Sequence, residues 1–206
     1  LLRSLVGSEM CIRDRNGKFG KVGICKGIAM AGAAFFDIII KGKGSHAAMP
    51  HQSKDPIVIA SNLISQLQNI VSRNLPPLES VVLSVTQIHS GSAYNIIPEN
   101  CTINGTIRYF SEESYGIVEN RFKKICQGFE LANDISIELK IRKVFDVLIN
   151  DFELSDSYMD AAEKIVGSTL ITRNESPATG SEDFADMLKH TNQLIHRQIQ
   201  VLVQFL

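Results

Sequence analysis

Apolar and polar positions along the chain follow two different periods, and the places where the period changes mark out the elements. Residues 35–41 (FFDIIIK) are a β-rich apolar run closed by Gly42 and Gly44, which predicts a strand. Asp55 followed by Pro56 joins an N-cap residue to a proline suited to the first helical position. Ile57, Ala60, Ile64, Leu67 and Val71 then recur at helical spacing, predicting a helix to about residue 73, where Pro76-Pro77 stops it. Residues 80–90 (SVVLSVTQIHS) are rich in β-branched side chains and run into Gly91, a second strand. In 101–109, Cys101, Ile103, Ile107 and Tyr109 alternate with Thr102, Asn104, Thr106 and Arg108, the period of a strand with one buried face.

Ser111 with Glu112 and Glu113 opens a helix whose stripe is Tyr115, Val118, Phe122, Ile125 and Phe129, ending near residue 133. Ile135, Ile137, Leu139 and Ile141 alternate strictly with polar residues, a fourth strand. The order βαββαβ predicts an α+β fold, the ferredoxin-like sandwich, with an antiparallel sheet of four strands covered by two helices on one face. Beyond residue 150 the pattern changes to a helix around 154–166, a polar loop and a short helical turn from Ser181 to about Lys189, pieces too few to make a domain. Residues 191–206 carry four Gln and neither Gly nor Pro, with no cap to place them.

Composition narrows the function classes. Lys and Arg number 21 against 22 Asp and Glu, a formal net charge of -1, which argues against nucleic acid or an anionic membrane as partner. Hydrophobic residues at 44% and charged residues at 21% fit an ordinary globular core. No apolar run approaches the roughly 20 residues that span a bilayer. Cys11, Cys25, Cys101 and Cys126 stand far apart with no CxxC pair, so a reducing, cytoplasmic location is the expectation. At 206 residues the chain is long for one small module and short for two.

Several residues could carry chemistry. His46 lies among Gly42, Gly44, Ser45, Ala47 and Ala48, an open backbone that suits a binding or catalytic imidazole; a solvated loop histidine is the plain alternative. His51 reads as that alternative. Asn95, in a loop from Gly91 to Pro98, offers an amide to a ligand or else supports its own turn. Arg108 shares the polar face of its strand with Asn104 and Thr106, where a guanidinium suits a carboxylate. Glu182 and Asp183 after Gly180-Ser181 read as a helix N-terminus rather than an acidic pair for substrate. No spacing of His, Cys and carboxylates builds a metal cage.

Five segments, GKGSHAAMPH (42–51), DPI (55–57), SGSAYNIIPE (90–99), GTIRYF (105–110) and GSEDFADML (180–188), resemble in order the zinc-dependent amidohydrolases and carboxypeptidases. The resemblance is to the branch of hippurate hydrolase, N-acyl-amino-acid amidohydrolases and auxin-conjugate hydrolases. It implies an inserted lid that dimerises and closes over an N-acyl amino acid substrate, and a catalytic domain holding divalent metal, zinc or manganese. It implies His46 as the lid histidine at the tetrahedral oxyanion, often in the partner subunit's site. Asn95 and Arg108 are then substrate contacts, and Gly180 and Ser181 border the pocket. The family's metal-ligand motifs are missing before Gly20 and after residue 190, and His196 is no persuasive substitute. The expectation is therefore a fragment, itself inactive and without bound metal. Its expected parts are a non-native tail at 1–15, the end of a first catalytic segment at 16–33, the lid at 34–147, part of a second catalytic segment at 148–190 and an out-of-pattern C-terminus at 191–206. A stand-alone dimerisation or small-carboxylate-binding module is the other reading.

Overall fold

The computed structural model describes residues 20–186 and 202–203. The expected tail at 1–15 and almost all of 191–206 lie outside the described residues, as do residues 187–189 of the turn expected from Ser181. Two compact units emerge, one of Gly32–Phe145 and one of the chain on either side of it.

The first unit has the expected element order. Its strands are β3 (Gly32–Lys41), β5 (Val81–Ser90), β7 (Asn100–Tyr109) and β8 (Ser136–Phe145), arranged β5-β7-β3-β8 with every pairing antiparallel. That is the ferredoxin-like order. Ile38 lies between Ile103 and Leu139 in register, so the two central strands put matching apolar residues on one face. Helices α1 (Pro56–Asn74) and α2 (Glu112–Asn133) cover that face.

Both helices begin as their sequences dictate. The Asp55 side chain accepts from the Ile57 N–H, and Ser111 Oγ accepts from the Ser114 N–H. The αL residue Asp134 (φ 49°) ends α2, its backbone N–H donating to the Glu130 carbonyl. The buried stripe of α1 is Ile59, Ala60, Leu63, Leu67 and Ile70, rotated from the expected Ile57, Ile64 and Val71, with Ile57 and Val58 exposed. Apolar residues occupy so much of this helix that its period allows two neighbouring stripes, and packing on the sheet selects one. In the core the rings of Phe36 and Phe122 meet at 4.9 Å, and those of Tyr109 and Tyr115 at 4.7 Å.

The second unit holds β1 (Val22–Gly23) between β10 (Ile171–Thr172), parallel to it, and β11 (Leu202–Val203), antiparallel. A separate antiparallel pair joins β2 (Gly27–Met30) to β9 (Leu148–Asn150). Helix α3 (Phe152–Val166) starts two residues after the end of β9, capped by Asp151, whose carboxylate accepts from the Leu154 N–H at 2.8 Å. Its Met159 packs with Val22 and Ile24. Arg173 ties to Asp160 and Glu163 on the same helix. Among the described residues no helix is long and apolar enough to cross a membrane.

Candidate functional site

The residues around His46 are held by two close backbone approaches. As β3 ends, the Gly42 N–H donates to the Glu99 carbonyl, and Lys43 and Lys54 exchange backbone hydrogen bonds. A Cβ at position 42 would lie 2.2 Å from the Lys54 carbonyl oxygen, and one at position 44 would lie 2.8 Å from that of Ile97. Both glycines are there because the chain passes too close for a side chain. The chain then enters β4 (Ser45–His46), which pairs antiparallel with β6 (Ile96–Ile97), setting Ser45 opposite Ile97 and His46 opposite Ile96.

The imidazole is aimed by its own loop. The Ala48 N–H donates to His46 Nδ1 at 3.1 Å. A neutral ring that accepts at Nδ1 carries its proton on Nε2, so the outward nitrogen is a hydrogen-bond donor. The Met49 N–H donates to the His46 carbonyl at 2.8 Å, closing the turn. The Ala47 N–H donates to the Asn95 carbonyl at 2.9 Å, which binds the loop of Asn95 to that of His46. Gly91 (φ 71°) takes the left-handed conformation that turns the chain out of β5 into this loop. Asn95 is exposed, and its side-chain amide does not support its own turn by any hydrogen bond among the described residues.

Arg108 stands elsewhere on the same sheet. It lies on β7 between Ala33 and Val82, half-buried on the face that the helices leave uncovered. The His46 and Asn95 loops are at the other end of that strand, next to Asn100. Eight residues at roughly 3.3 Å each separate Asn100 from Arg108 by roughly 26 Å. The fold therefore brings His46 and Asn95 together and keeps Arg108 apart from them. On the open face, Asp37 accepts from the Asn104 amide at 2.6 Å and from the Arg142 guanidinium at 2.9 Å. The sequence signal for this clamp was a lone carboxylate inside the apolar run FFDIII. Ile96 as the neighbour of His46 carries no such signal, because a two-residue strand has no period to detect.

Gly180 and Ser181 belong to the other compact unit. The Ala31 N–H is shared between the carbonyls of Ala178 at 3.0 Å and Gly180 at 3.1 Å, which fixes this loop against the chain leaving β2. A helical turn follows, with the Asp186 N–H donating to the Asp183 carbonyl at 2.9 Å. Among the described residues no group of three or more His, Cys, Asp or Glu side chains could hold a metal ion.

Comparison with known proteins agrees with the fold. A family model described as the peptidase dimerisation domain matches residues 28–132. The N-acetyl-L-cysteine deacetylase of Bacillus subtilis is 40% identical over 83% of this chain and 40% of its own length. The hippurate hydrolase of Campylobacter jejuni is 38% identical over 77% of this chain and 42% of its own. The solved structure of a dinuclear metal-binding peptidase of the M20 family from Bacillus subtilis superposes with a TM-score of 0.66 at 26% identity, covering 84% of this chain and 42% of that one. The chain thus spans less than half the length of the relatives it matches. On the family match, the relatives and the shared fold together, this chain belongs to the M20 peptidase family, and residues 28–132 are its dimerisation domain.

Proposed function

We propose that this chain is the lid and part of the catalytic domain of a metal-dependent amidohydrolase that cleaves the amide bond of N-acyl amino acids. The observation that carries the reading is the fixed imidazole of His46, with a donor Nε2 at the tip of a loop pinned to that of Asn95. When water adds to an amide carbon, negative charge gathers on the carbonyl oxygen. His46 donates to that oxygen, Asn95 adds a neutral amide contact, and Arg108 takes the carboxylate of the amino-acid portion. Gly180 and Ser181 border the pocket. Named relatives acting on N-acetyl amino acids and on hippurate support the substrate class.

The family's divalent metal, zinc or manganese, would polarise the amide and activate water. No such donor set is found among the described residues; in our reading the activity belongs to a longer protein, which we place in the cytoplasm, and this chain alone is inactive.

The partner is a second copy. Of the two edge strands, β8 (SIELKIRKVF) carries four charges along its length, Glu138, Lys140, Arg142 and Lys143, whereas β5 (VVLSVTQIHS) has no Lys, Arg, Asp or Glu. Charged edges resist pairing and uncharged ones permit it. The separation of Arg108 from His46 favours the same conclusion, because one small ligand does not reach both. We assign His46 and Asn95 of one copy to the site of the other.

The test is hydrolysis of N-acetyl- and N-benzoyl-amino acids with zinc or manganese, by this chain and by the complete enzyme containing it. The complete enzyme turns over and the chain does not. Turnover by the chain with one bound metal refutes its inactivity, and a complete enzyme inert towards these amides refutes the substrate class. The alternative, a stand-alone module binding small carboxylates, is favoured by the complete four-stranded sheet with its two helices; it predicts carboxylate binding by this chain that is lost in Arg108→Gln.

A further inference from the structure

The two-residue ribbon of β4 and β6 sorts its side chains in a way the proposed chemistry does not use. Ser45 and Ile97 point inward, and Ile97 is 8% exposed; His46 and Ile96 point outward, and Ile96 is 56% exposed. Residues directly opposite in an antiparallel pair share a face, with Cβ atoms roughly 5 Å apart. Ile96 is therefore the side-chain neighbour of His46 across the ribbon. Tyr94, two residues earlier in the same loop, is fully exposed, and Met49, whose N–H closes the His46 turn, is 47% exposed. A polar pair is thus bordered by apolar side chains that this chain leaves uncovered.

We propose that Ile96, with Tyr94 beside it, is the surface against which the acyl group of the substrate lies, so that large apolar acyl groups are preferred to acetyl. The inference rests on the reading that His46 donates to the amide oxygen. In an N-acyl amino acid that oxygen and the acyl substituent are bonded to the same carbon. A substituent so close to the oxygen meets whatever adjoins His46. The amino-acid side of the amide brings a carboxylate and is poorly matched to isoleucine, whereas an aromatic or branched acyl group loses contact with water against it.

The experiment compares kcat/KM for N-benzoylglycine and N-acetylglycine in the complete enzyme, with Ile96→Ala, Ile96→Val, Tyr94→Ala and His46→Gln. The native enzyme favours the benzoyl substrate. Ile96→Ala lowers the benzoyl-to-acetyl ratio by about tenfold, the discrimination that a few methyl groups supply in an apolar pocket, Tyr94→Ala lowers it less, and Ile96→Val keeps most of it. A native preference for acetyl, or an Ile96→Ala variant that slows both substrates equally, overturns the inference. His46→Gln slows both substrates alike if the underlying reading is right. If it does so while the Ile96 variants leave the ratio unmoved, only the acyl inference fails; if it changes nothing, or if neither substrate is turned over, the reading of His46 fails and the inference with it.

Discussion

Gly105 lies beneath the ring of Phe36: a Cβ built on Gly105 would come within 2.3 Å of Phe36 Cζ and 2.2 Å of the Ser84 carbonyl oxygen. The two residues are direct partners across the central strands β3 and β7. A flexible side chain could retreat from such a contact, but a strand carbonyl cannot. Gly105→Ala is expected to cost about 2 kcal/mol or more, as overpacking of a filled core does. The urea midpoint checks it, and an unshifted midpoint would show that the sheet yields at this point.

The imidazole of His46 donates from Nε2 because the Ala48 N–H occupies Nδ1. Replacement by glutamine removes an aligned donor from the developing oxyanion. In the complete enzyme His46→Gln is expected to lower kcat by about 10²–10³-fold, the range for one oxyanion donor, and to change KM little. Steady-state kinetics on an N-acyl amino acid decide it, and a rise in KM with kcat intact would assign His46 to binding instead.

Ile88 is 49% exposed on β5, the uncharged edge of the sheet. A lysine there places charge where a second copy would pair. Sedimentation velocity should find the native chain dimeric and Ile88→Lys largely monomeric, with Lys140→Ser on β8 still dimeric. Loss of the dimer in the β8 variant alone would move the interface to the other edge.

Burial raises the Cys126 thiol from its ordinary 9.0, and the Tyr109 hydroxyl from 10.0, each to about 12. Both groups keep their protons in the folded chain where the unfolded chain gives them up, so the folded state binds more protons between about pH 9 and 12. Stability is then fully present below about pH 9 and falls as pH rises through that window. Urea midpoints measured from about pH 8 upward should decline, and Cys126→Ala should flatten the start of the decline. A midpoint constant to about pH 11 would contradict the burial of both groups.

The sandwich was legible because its elements are long and strongly periodic. Along β7, Cys101, Ile103, Ile107 and Tyr109 are buried as their alternation requires, and the caps Asp55 and Ser111 accept the hydrogen bonds their positions imply. The stripe of α1 was less so, since apolar residues there outnumber those one face can bury. The short strands β4 and β6 could not be read: two residues carry no period, and their pairing depends on Gly42 and Gly44 admitting another stretch of backbone. For the candidate site, the sequence pointed to His46, Asn95 and Arg108 one by one. Their separation follows from sheet register, which no local pattern encodes.

The distance along β7 between Arg108 and the His46 loop has a genetic meaning on the two-copy reading. If each site takes its arginine from one copy and its histidine from the other, a chain lacking Arg108 and a chain lacking His46 are each useless in pairs of their own kind. Paired with each other, they place both missing groups in the same site and leave the second site whole. Two null alleles of such a gene would complement when expressed together.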